Sequence, residues 1–559
     1  METVAEKKQK KTAKILFISV IENGMKIFEE IGISYLTAFL REKGYDVELM
    51  SEGDKADINR IESLNPYMIG FPLYDNSKEK VYRIIKSIKE KLPNTLISVG
   101  GYAATFQGSK ILEELEDIDF LVKGEGELPY WELLDALKAG AGLSHIKGLV
   151  YRSGGQIIDN GGEQFIKDIN TLPWPARDLL EQNGYSSVLI SSSRGCTGNC
   201  SFCVSKKFWK KWRGRNISDV IDEVAYIQNR FHNDFFFFID CSFEDPGTSY
   251  ERVREIAETI LQRKLKIHYI VFLRAEFQRI ADEALMTLLL ESGLCGVLVG
   301  VEAANEDDLK LYHKRAALED NTRAIELFQR YNLHCEIGFI SFNPYSTYQS
   351  LYKNISFLEK YGLAYNMNYI ASAYGMNSGC PLNQKIIDDG LLTERRDSRF
   401  NYSFVHKEIN QLAEYIYNYI IPLHDKTGHV FMKLHEYTAT FGYWKTIYKE
   451  RDQKLYSIIK TADAQLNDLI GRLNSNNAAW FKELLELTKH WDLTVADKIS
   501  ETYLSETFVL QMGADFMNIK RKCHLKMERL GFDLNNAPLF SNRKGILKCP
   551  LYESAMITK

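Results

Sequence analysis

Apolar and polar positions change their period twice along this chain. Over the first 140 or so residues, short apolar runs alternate with amphipathic stretches. Residues 14–20, 47–50, 68–73, 96–99 and 120–122 read as buried strands. Helical spacing falls between them at 31–43, 78–91, 109–116 and 128–139; in the first of these Ile33, Leu36, Phe39 and Leu40 share a face. Such alternation predicts a parallel sheet covered on both faces, with ligands beyond the carboxyl ends of its strands. Residues 148–159 form a hairpin pattern turning at Ser153-Gly154-Gly155. Leu172-Pro173-Trp174-Pro175 then reads as a stiff linker. Alternation resumes from 186 to 372, with strands expected at 187–193, 235–239, 267–271, 296–301, 335–340 and 365–372, giving six β/α units. Beyond 385 the period is helical, with helices expected at 408–419, 431–448, 452–473, 478–490, 494–503 and 504–530. The chain is therefore expected to be an α/β multidomain protein with an all-α end. Its parts are 1–145, a hairpin and linker at 146–184, a second α/β unit at 185–395, and a helical domain at 396–559.

Composition narrows the class. An apolar share of 45% supplies ordinary cores, and the 31 Tyr and 30 Phe read first as packing residues. A net charge of −4 argues against a nucleic-acid binder driven by a general basic field. No apolar run reaches membrane-spanning length, and the basic leader at 6–11 does not read as a secretory signal. Nine cysteines in a chain of 559 residues do not read as a disulfide framework, so a reducing cytoplasm is the expected compartment.

Three of those cysteines stand together in Ser193-Arg194-Gly195-Cys196-Thr197-Gly198-Asn199-Cys200-Ser201-Phe202-Cys203. Thiolates spaced C-x3-C-x2-C match three corners of a [4Fe–4S] cube and leave the fourth iron open to a small molecule. Zinc, or a set of ordinary thiols, is the alternative; no His or Cys nearby completes a tetrahedral zinc site. The other cysteines, Cys241, Cys295, Cys335, Cys380, Cys523 and Cys549, show no paired spacing. Buried small hydrophobe is the default reading for each.

The loop, with its aromatic residue before the last cysteine and its position after a strand, resembles that of radical S-adenosylmethionine (SAM) enzymes. The resemblance spans about 14–395 and implies a partial (β/α)6 barrel. It assigns Cys196, Cys200 and Cys203 to the cluster. It places Phe202 on the SAM adenine and Asp240 at the ammonium or ribose; Cys241 stands where a second acid is usual. Arg274 is assigned to the SAM carboxylate, and Glu302 in Gly300-Val301-Glu302-Ala303 to its ribose or ammonium. Arg194 precedes the loop as either loop support or surface charge. Tyr345 replaces part of a glycine-rich turn and is expected to face a substrate cavity.

The amino-terminal unit resembles the Rossmann-like cobalamin-binding domain that precedes many such barrels. The matching pieces are Gly32-x3-Leu36-x3-Leu40-x3-Gly44, the loop Gly100-Gly101-Tyr102-Ala103-Ala104-Thr105, and Gly124-Glu125-Gly126-Glu127. Gly100, Gly101, Tyr102, Ala104, Thr105, Gly124, Glu125, Gly126 and Glu127 are the expected cobalamin contacts. No histidine precedes His145, so none from this unit is expected on cobalt.

Together the resemblances imply a [4Fe–4S] cluster, SAM and cobalamin as cofactors. They imply a cytoplasmic methyltransferase acting on an unactivated carbon of a natural-product, peptide or other small-molecule substrate. Its means would be a 5′-deoxyadenosyl radical and methylcobalamin, with electrons from a flavodoxin- or ferredoxin-type reductant. A non-methylating rearrangement, oxidation or cyclisation is the first alternative, and a non-catalytic cobalamin or cluster sensor the second. A methylthiotransferase would need further cysteines before Cys196, and there are none. No second cluster, nucleic acid or membrane span is expected, and the helical domain is the expected site of substrate recognition.

Overall fold

The computed structural model describes residues 14–20, 29–53, 56–185, 187–246, 250–393, 400–532 and 534. The leader at 6–11 and Cys549 lie outside the described residues. The first sheet holds β1 (Ile15–Val20), β2 (Val47–Glu52), β3 (Met68–Pro72), β4 (Leu96–Gly100), β5 (Phe120–Val122), β6 (Leu149–Ser153) and β7 (Gln156–Asp159), in the order β2-β1-β3-β4-β5-β6-β7. The first five run parallel, and the hairpin β6–β7 adds antiparallel to β5. The hairpin thus extends this sheet beyond residue 145. The strand order reverses between β1 and β3, where doubly wound sheets open a crevice.

The second sheet is built from β8 (Val188–Ile190), β11 (Phe235–Phe238), β12 (His268–Arg274), β13 (Leu294–Glu302) and β14 (His334–Phe339), all parallel and in that order. A two-residue ribbon, β9 (Ser193–Arg194) with β10 (Arg213–Gly214), follows β8. Five strands form, not six. Residues 365–372 carry strand-like aromatic and branched residues, yet they fold into the helix Met367–Ala371 because the buried Asn366 side chain caps its start, accepting from the Asn368 N–H at 3.0 Å. The sixth position survives as two backbone bonds, Phe342 N–H to Ser372 O at 2.9 Å and Tyr374 N–H to Phe342 O at 2.8 Å.

Carboxyl-terminal helices run Lys407–Lys426, Val430–Tyr448, Gln453–Leu487, Leu493–Leu504 and Glu506–Arg529. The third was expected as two. The polar run near 474–477 is no break, because tertiary contacts satisfy its amides. Asn474 Oδ1 accepts from Ala364 N–H at 2.8 Å, and Asn477 Nδ2 donates to the carbonyls of Ala364 and Tyr365 at 3.1 Å each. The helix Val430–Tyr448 lies inside the half-barrel. Ala439, Tyr443 and Ile447 pack with Leu189, Phe235, Phe237, Ile270 and Leu298. A side chain on Gly296 would meet the Tyr443 ring at 2.2 Å. By strand alternation these positions share a face with Arg274, Gly300 and Gly338. The helix therefore fills the lower lumen and leaves the carboxyl rim of the sheet for ligands. At its upper end His435 Nε2 meets Glu336 Oε2 at 3.0 Å, and Tyr369 donates to the same oxygen at 2.7 Å. Among the described residues no helix is long and apolar enough to cross a membrane.

Candidate functional site

The cysteine loop is held from both ends. Gly195 has φ +93°, and a Cβ there would lie 2.6 Å from the Lys211 carbonyl oxygen, so only glycine fits where the loop leaves β9. Ser201 anchors the far side, its N–H donating to Tyr312 O at 2.9 Å and its hydroxyl to Leu311 O at 2.6 Å. Inside the loop, Gly198 N–H donates to Cys196 Sγ at 3.2 Å. A Cβ on Gly198 would stand 3.2 Å from Cys196 Sγ and 3.9 Å from Cys200 Sγ. Glycine thus keeps open the space between two sulfurs. Burial pushes the Cys196 thiol up to about 12 and Cys200 to about 11 in the bare chain, where no metal shares the charge. Among the described residues no three His, Cys, Asp or Glu side chains close on a single metal ion. Three spaced thiols fit a multi-iron centre better than zinc.

Arg274, at the end of β12, faces this loop. Its Nη1 donates to Thr197 Oγ1 at 2.9 Å, its Nε to Glu244 at 3.0 Å, and its Nη2 pairs with Asp245 at 2.9 Å. Asp245 also receives the Thr197 N–H at 2.9 Å and hydroxyl at 2.6 Å. Glu244 and Asp245 were not anticipated from the sequence; Asp245 lies 48 positions from Thr197, and Glu244 lies 30 from Arg274.

Glu302 ends β13 with φ +66°, where the register with β14 slips. Its carboxylate lies over two glycines: a Cβ would come within 2.7 Å of it at Gly300 and 3.1 Å at Gly338. Lys314 Nζ is 3.9 Å away and donates to Gly300 O at 3.0 Å. Burial raises the Glu302 carboxyl above the usual range, and Lys314 pulls it back. Positive φ in a non-glycine residue marks a position over-determined by its surroundings.

Asp240 is placed differently. It is 1% exposed, and its oxygens accept from the Ser192 hydroxyl at 2.9 Å, the Ser193 hydroxyl, and the Ser192 N–H at 3.4 Å. It therefore ties β11 to the start of the cysteine loop. Phe202 packs edge-on against Tyr312, with ring centroids 5.4 Å apart. Tyr345 is half-buried; its hydroxyl donates to Asp389 at 2.8 Å and Lys385 covers its ring, and it does not line the cavity between the two sheets.

A cavity of about 340 Å³ opens where the carboxyl ends of both sheets meet. From the first unit it is lined by Gly32, Gly70, Gly100, Gly101, Gly124 and Gly126; Tyr35, Tyr74 and Tyr102 add aromatic surface. From the second come Ser193, Arg194, Gly195, Trp209, Ile239 and Cys241. Gly101 has φ +93°. Ala104 and Thr105 do not line it. Ala104 is fully buried, while the Thr105 hydroxyl donates to Gly101 O at 2.7 Å and accepts Gly124 N–H at 2.9 Å, fastening the two glycine loops together. Glu125 and Glu127 line the cavity and also reach the seam between the units. Glu127 pairs with Arg194 at 2.6 Å, and Glu125 with Arg213 at 2.6 Å. Arg194 is no surface charge; it is 8% exposed and stacks over Tyr35 and Trp209. Behind it, Arg177 is buried between Glu29 and Glu223. Backbone-walled glycines and flanking rings suit a broad planar ligand, and among the described residues no imidazole lines the space.

Comparison with known proteins agrees with this geometry. Residues 19–134 match the B12 binding domain and residues 190–356 match the radical SAM superfamily. An uncharacterized methyltransferase of Pyrococcus horikoshii is 28% identical over 355 residues, covering 62% of this chain and 76% of that protein. The anaerobic magnesium-protoporphyrin IX monomethyl ester cyclase of Rubrivivax gelatinosus is 27% identical over 325 residues, covering 55% of this chain and 58% of the cyclase, less than two thirds of its length. The structure of the cobalamin-dependent S-adenosylmethionine radical enzyme OxsB with aqua-cobalamin and S-adenosylmethionine bound superposes with a TM-score of 0.64 at 19% identity, over 94% of this chain and 81% of that one. The chain thus carries a radical SAM domain with a B12 binding domain ahead of it. A [4Fe–4S] cluster, SAM and cobalamin are the cofactors of that class.

Proposed function

We propose that this radical SAM enzyme is a cobalamin-dependent methyltransferase acting on an unactivated carbon of a small-molecule or peptide substrate. One observation carries the reading: a single cavity is lined both by the glycine loops of the B12 binding domain and by Arg194-Gly195, the residues that open the cysteine loop. Methyl donor and radical source would thus face one substrate. When bound, the cluster and SAM supply a 5′-deoxyadenosyl radical and methylcobalamin supplies the methyl group.

In this reading Cys196, Cys200 and Cys203 hold three irons. Glu302, whose carboxylate has among the described residues only Lys314 at 3.9 Å, takes the SAM ammonium or ribose. Arg274 takes the SAM carboxylate while Glu244 and Asp245 fix its plane. Asp240 positions the loop through Ser192 and Ser193 and does not touch SAM. Gly100, Gly101, Tyr102, Gly124, Glu125, Gly126 and Glu127 bound the corrin, while Thr105 holds the two loops together. The helix Val430–Tyr448 closes the lumen against water and sets the floor of the substrate space. The Pyrococcus relative, named a methyltransferase, supports methyl transfer. The cyclase relative keeps a non-methylating radical reaction as the second reading.

Anaerobic reconstitution followed by mass spectrometry tests the proposal. The methyltransferase yields both 5′-deoxyadenosine and S-adenosylhomocysteine. 5′-Deoxyadenosine alone supports the cyclase-like reading, and neither product means a non-catalytic binder.

A further inference from the structure

Between Ser205 and Arg215 the chain carries six cations and no carboxylate, although its overall charge is −4. The structure divides them. Arg213 and Arg215 turn inward to Glu125 and Glu223. Lys206, Lys207, Lys210 and Lys211 are exposed. Lys210 pairs with Glu163 at 3.0 Å; Lys206, Lys207 and Lys211 have no carboxylate partner among the described residues. The short helix Ser205–Trp209 is two-faced: Phe208 and Trp209 line the cavity, and the lysines point outward.

This patch brackets the cysteine loop. The helix begins two residues after Cys203, whose sulfur donates to the Ser205 hydroxyl at 3.3 Å. The Lys211 carbonyl packs on Gly195, the residue before Cys196. A protein resting on these lysines would sit beside the cluster and beside Asn199, exposed within the loop. Electron delivery needs that proximity, and a local basic field on an acidic protein selects and steers an acidic partner.

We propose that Lys206, Lys207 and Lys211 form the docking surface for an acidic one-electron carrier protein, of flavodoxin or ferredoxin type, which reduces the cluster. The inference rests on the reading of Cys196, Cys200 and Cys203 as cluster ligands. In the step, one electron leaves the reduced carrier and enters the cluster; the carrier is oxidised by one electron, the cluster is reduced by one, and no bond is made.

The test uses reconstituted holoenzyme carrying Lys206→Glu, Lys207→Glu and Lys211→Glu, with a flavodoxin kept reduced by its reductase and NADPH. Cluster reduction is followed by stopped flow, and 5′-deoxyadenosine against flavodoxin concentration. At low ionic strength the apparent KM for flavodoxin rises about tenfold or more. The gap closes near ~0.5 M salt, where exposed charges are screened. With dithionite, cleavage rate and the EPR signal match wild type. A flavodoxin KM within about twofold of wild type overturns the docking site. Should the triple variant lose its cluster, wild type alone decides: its flavodoxin-driven rate must fall with salt while its dithionite-driven rate holds, and a salt-independent flavodoxin rate overturns the proposal. If dithionite drives no SAM cleavage even in wild type, the radical SAM reading fails, not the docking surface.

Discussion

Replacing Gly300 with alanine asks whether Glu302 holds SAM, without touching the carboxylate itself. The new Cβ would stand 2.7 Å from Glu302 Oε1, roughly 0.8 Å inside the optimal separation of non-bonded atoms. The nearest atom is the tip of a side chain, so the backbone keeps its course and the carboxylate moves. Lys314 Nζ, 3.3 Å from the same point, blocks one direction of escape. Gly338→Ala is the milder version, with contacts of 3.1 and 3.3 Å to the two carboxylate oxygens. A charge-assisted hydrogen bond is worth about 1.5–3 kcal/mol. At about 1.4 kcal/mol per decade its loss weakens SAM binding roughly 10- to 150-fold. Gly300→Ala and Glu302→Gln are expected to fall in that range and Gly338→Ala below it, with iron content and melting temperature unchanged. SAM affinity is measured anaerobically on the reconstituted protein by the change in the cluster's EPR spectrum. If Gly300→Ala binds SAM within about twofold of wild type while its cluster is intact, Glu302 is not a SAM contact.

Cys200→Ala should leave the reconstituted protein without a stable cluster and without 5′-deoxyadenosine formation, read by iron and sulfide analysis beside the product assay. Arg177→Met removes the cation buried between Glu29 and Glu223. Arg215 still serves Glu223 at 2.6 Å, but Glu29 is left alone, so unfolding should cost about 3–5 kcal/mol less in a denaturant titration. Acid should destabilise the fold through three histidines buried neutral. Burial lowers His268 to about 3, and His424 and His524 to about 4; each has an Nε2 without a hydrogen-bond partner. Their folded values lie below the unfolded value near 6.5, so the unfolded chain binds more protons once pH drops below that point. Stability is then full above about 6.5 and declines towards 4, and His268→Gln should flatten the fall in melting temperature between about pH 7 and 5.

What could be read from the sequence was whatever chemistry is local. The three cysteines proposed as ligands share one loop, so their spacing stands out in the sequence. Glycines at strand ends are visible because a buried strand has a recognisable apolar run before it. What escaped depended on partners far along the chain. Glu244 and Asp245 look like ordinary acids until Thr197 and Arg274 fold against them. Arg194 reads as solvent charge until Glu127, 67 residues earlier, meets it inside the seam. Asn474 and Asn477 resemble a helix break because intrinsic propensity knows nothing of the distant backbone groups they satisfy, the Ala364 N–H and Glu359 carbonyl for Asn474 and the Ala364 and Tyr365 carbonyls for Asn477. The lumen helix Val430–Tyr448 is the same problem in apolar form. A helix packed on other helices and one filling a half-barrel need similar side chains, and only Gly296 opposite Tyr443 and Gly442 opposite His334 show which it is.

The distant pairs that the sequence hides also explain why the two units act as one site. Arg194 reaches back to Glu127, which follows β5 of the first unit, while Gly195 beside it opens the cysteine loop of the second. Thr105 fastens the loop after β4 to Gly124, at the start of the run that supplies Glu125 and Glu127. Gly195, next to Arg194 in the chain, has φ +93°, so the start of the cysteine loop adjoins this seam. The glycine loops and the start of the cysteine loop are thus joined by side-chain contacts, Thr105 with Gly124 and Glu127 with Arg194. Arg194→Lys, which keeps the buried charge beside Glu127 but loses the planar fork, should raise the 5′-deoxyadenosine formed per S-adenosylhomocysteine under the proposed methyl transfer, read by mass spectrometry; an unchanged ratio refutes the coupling.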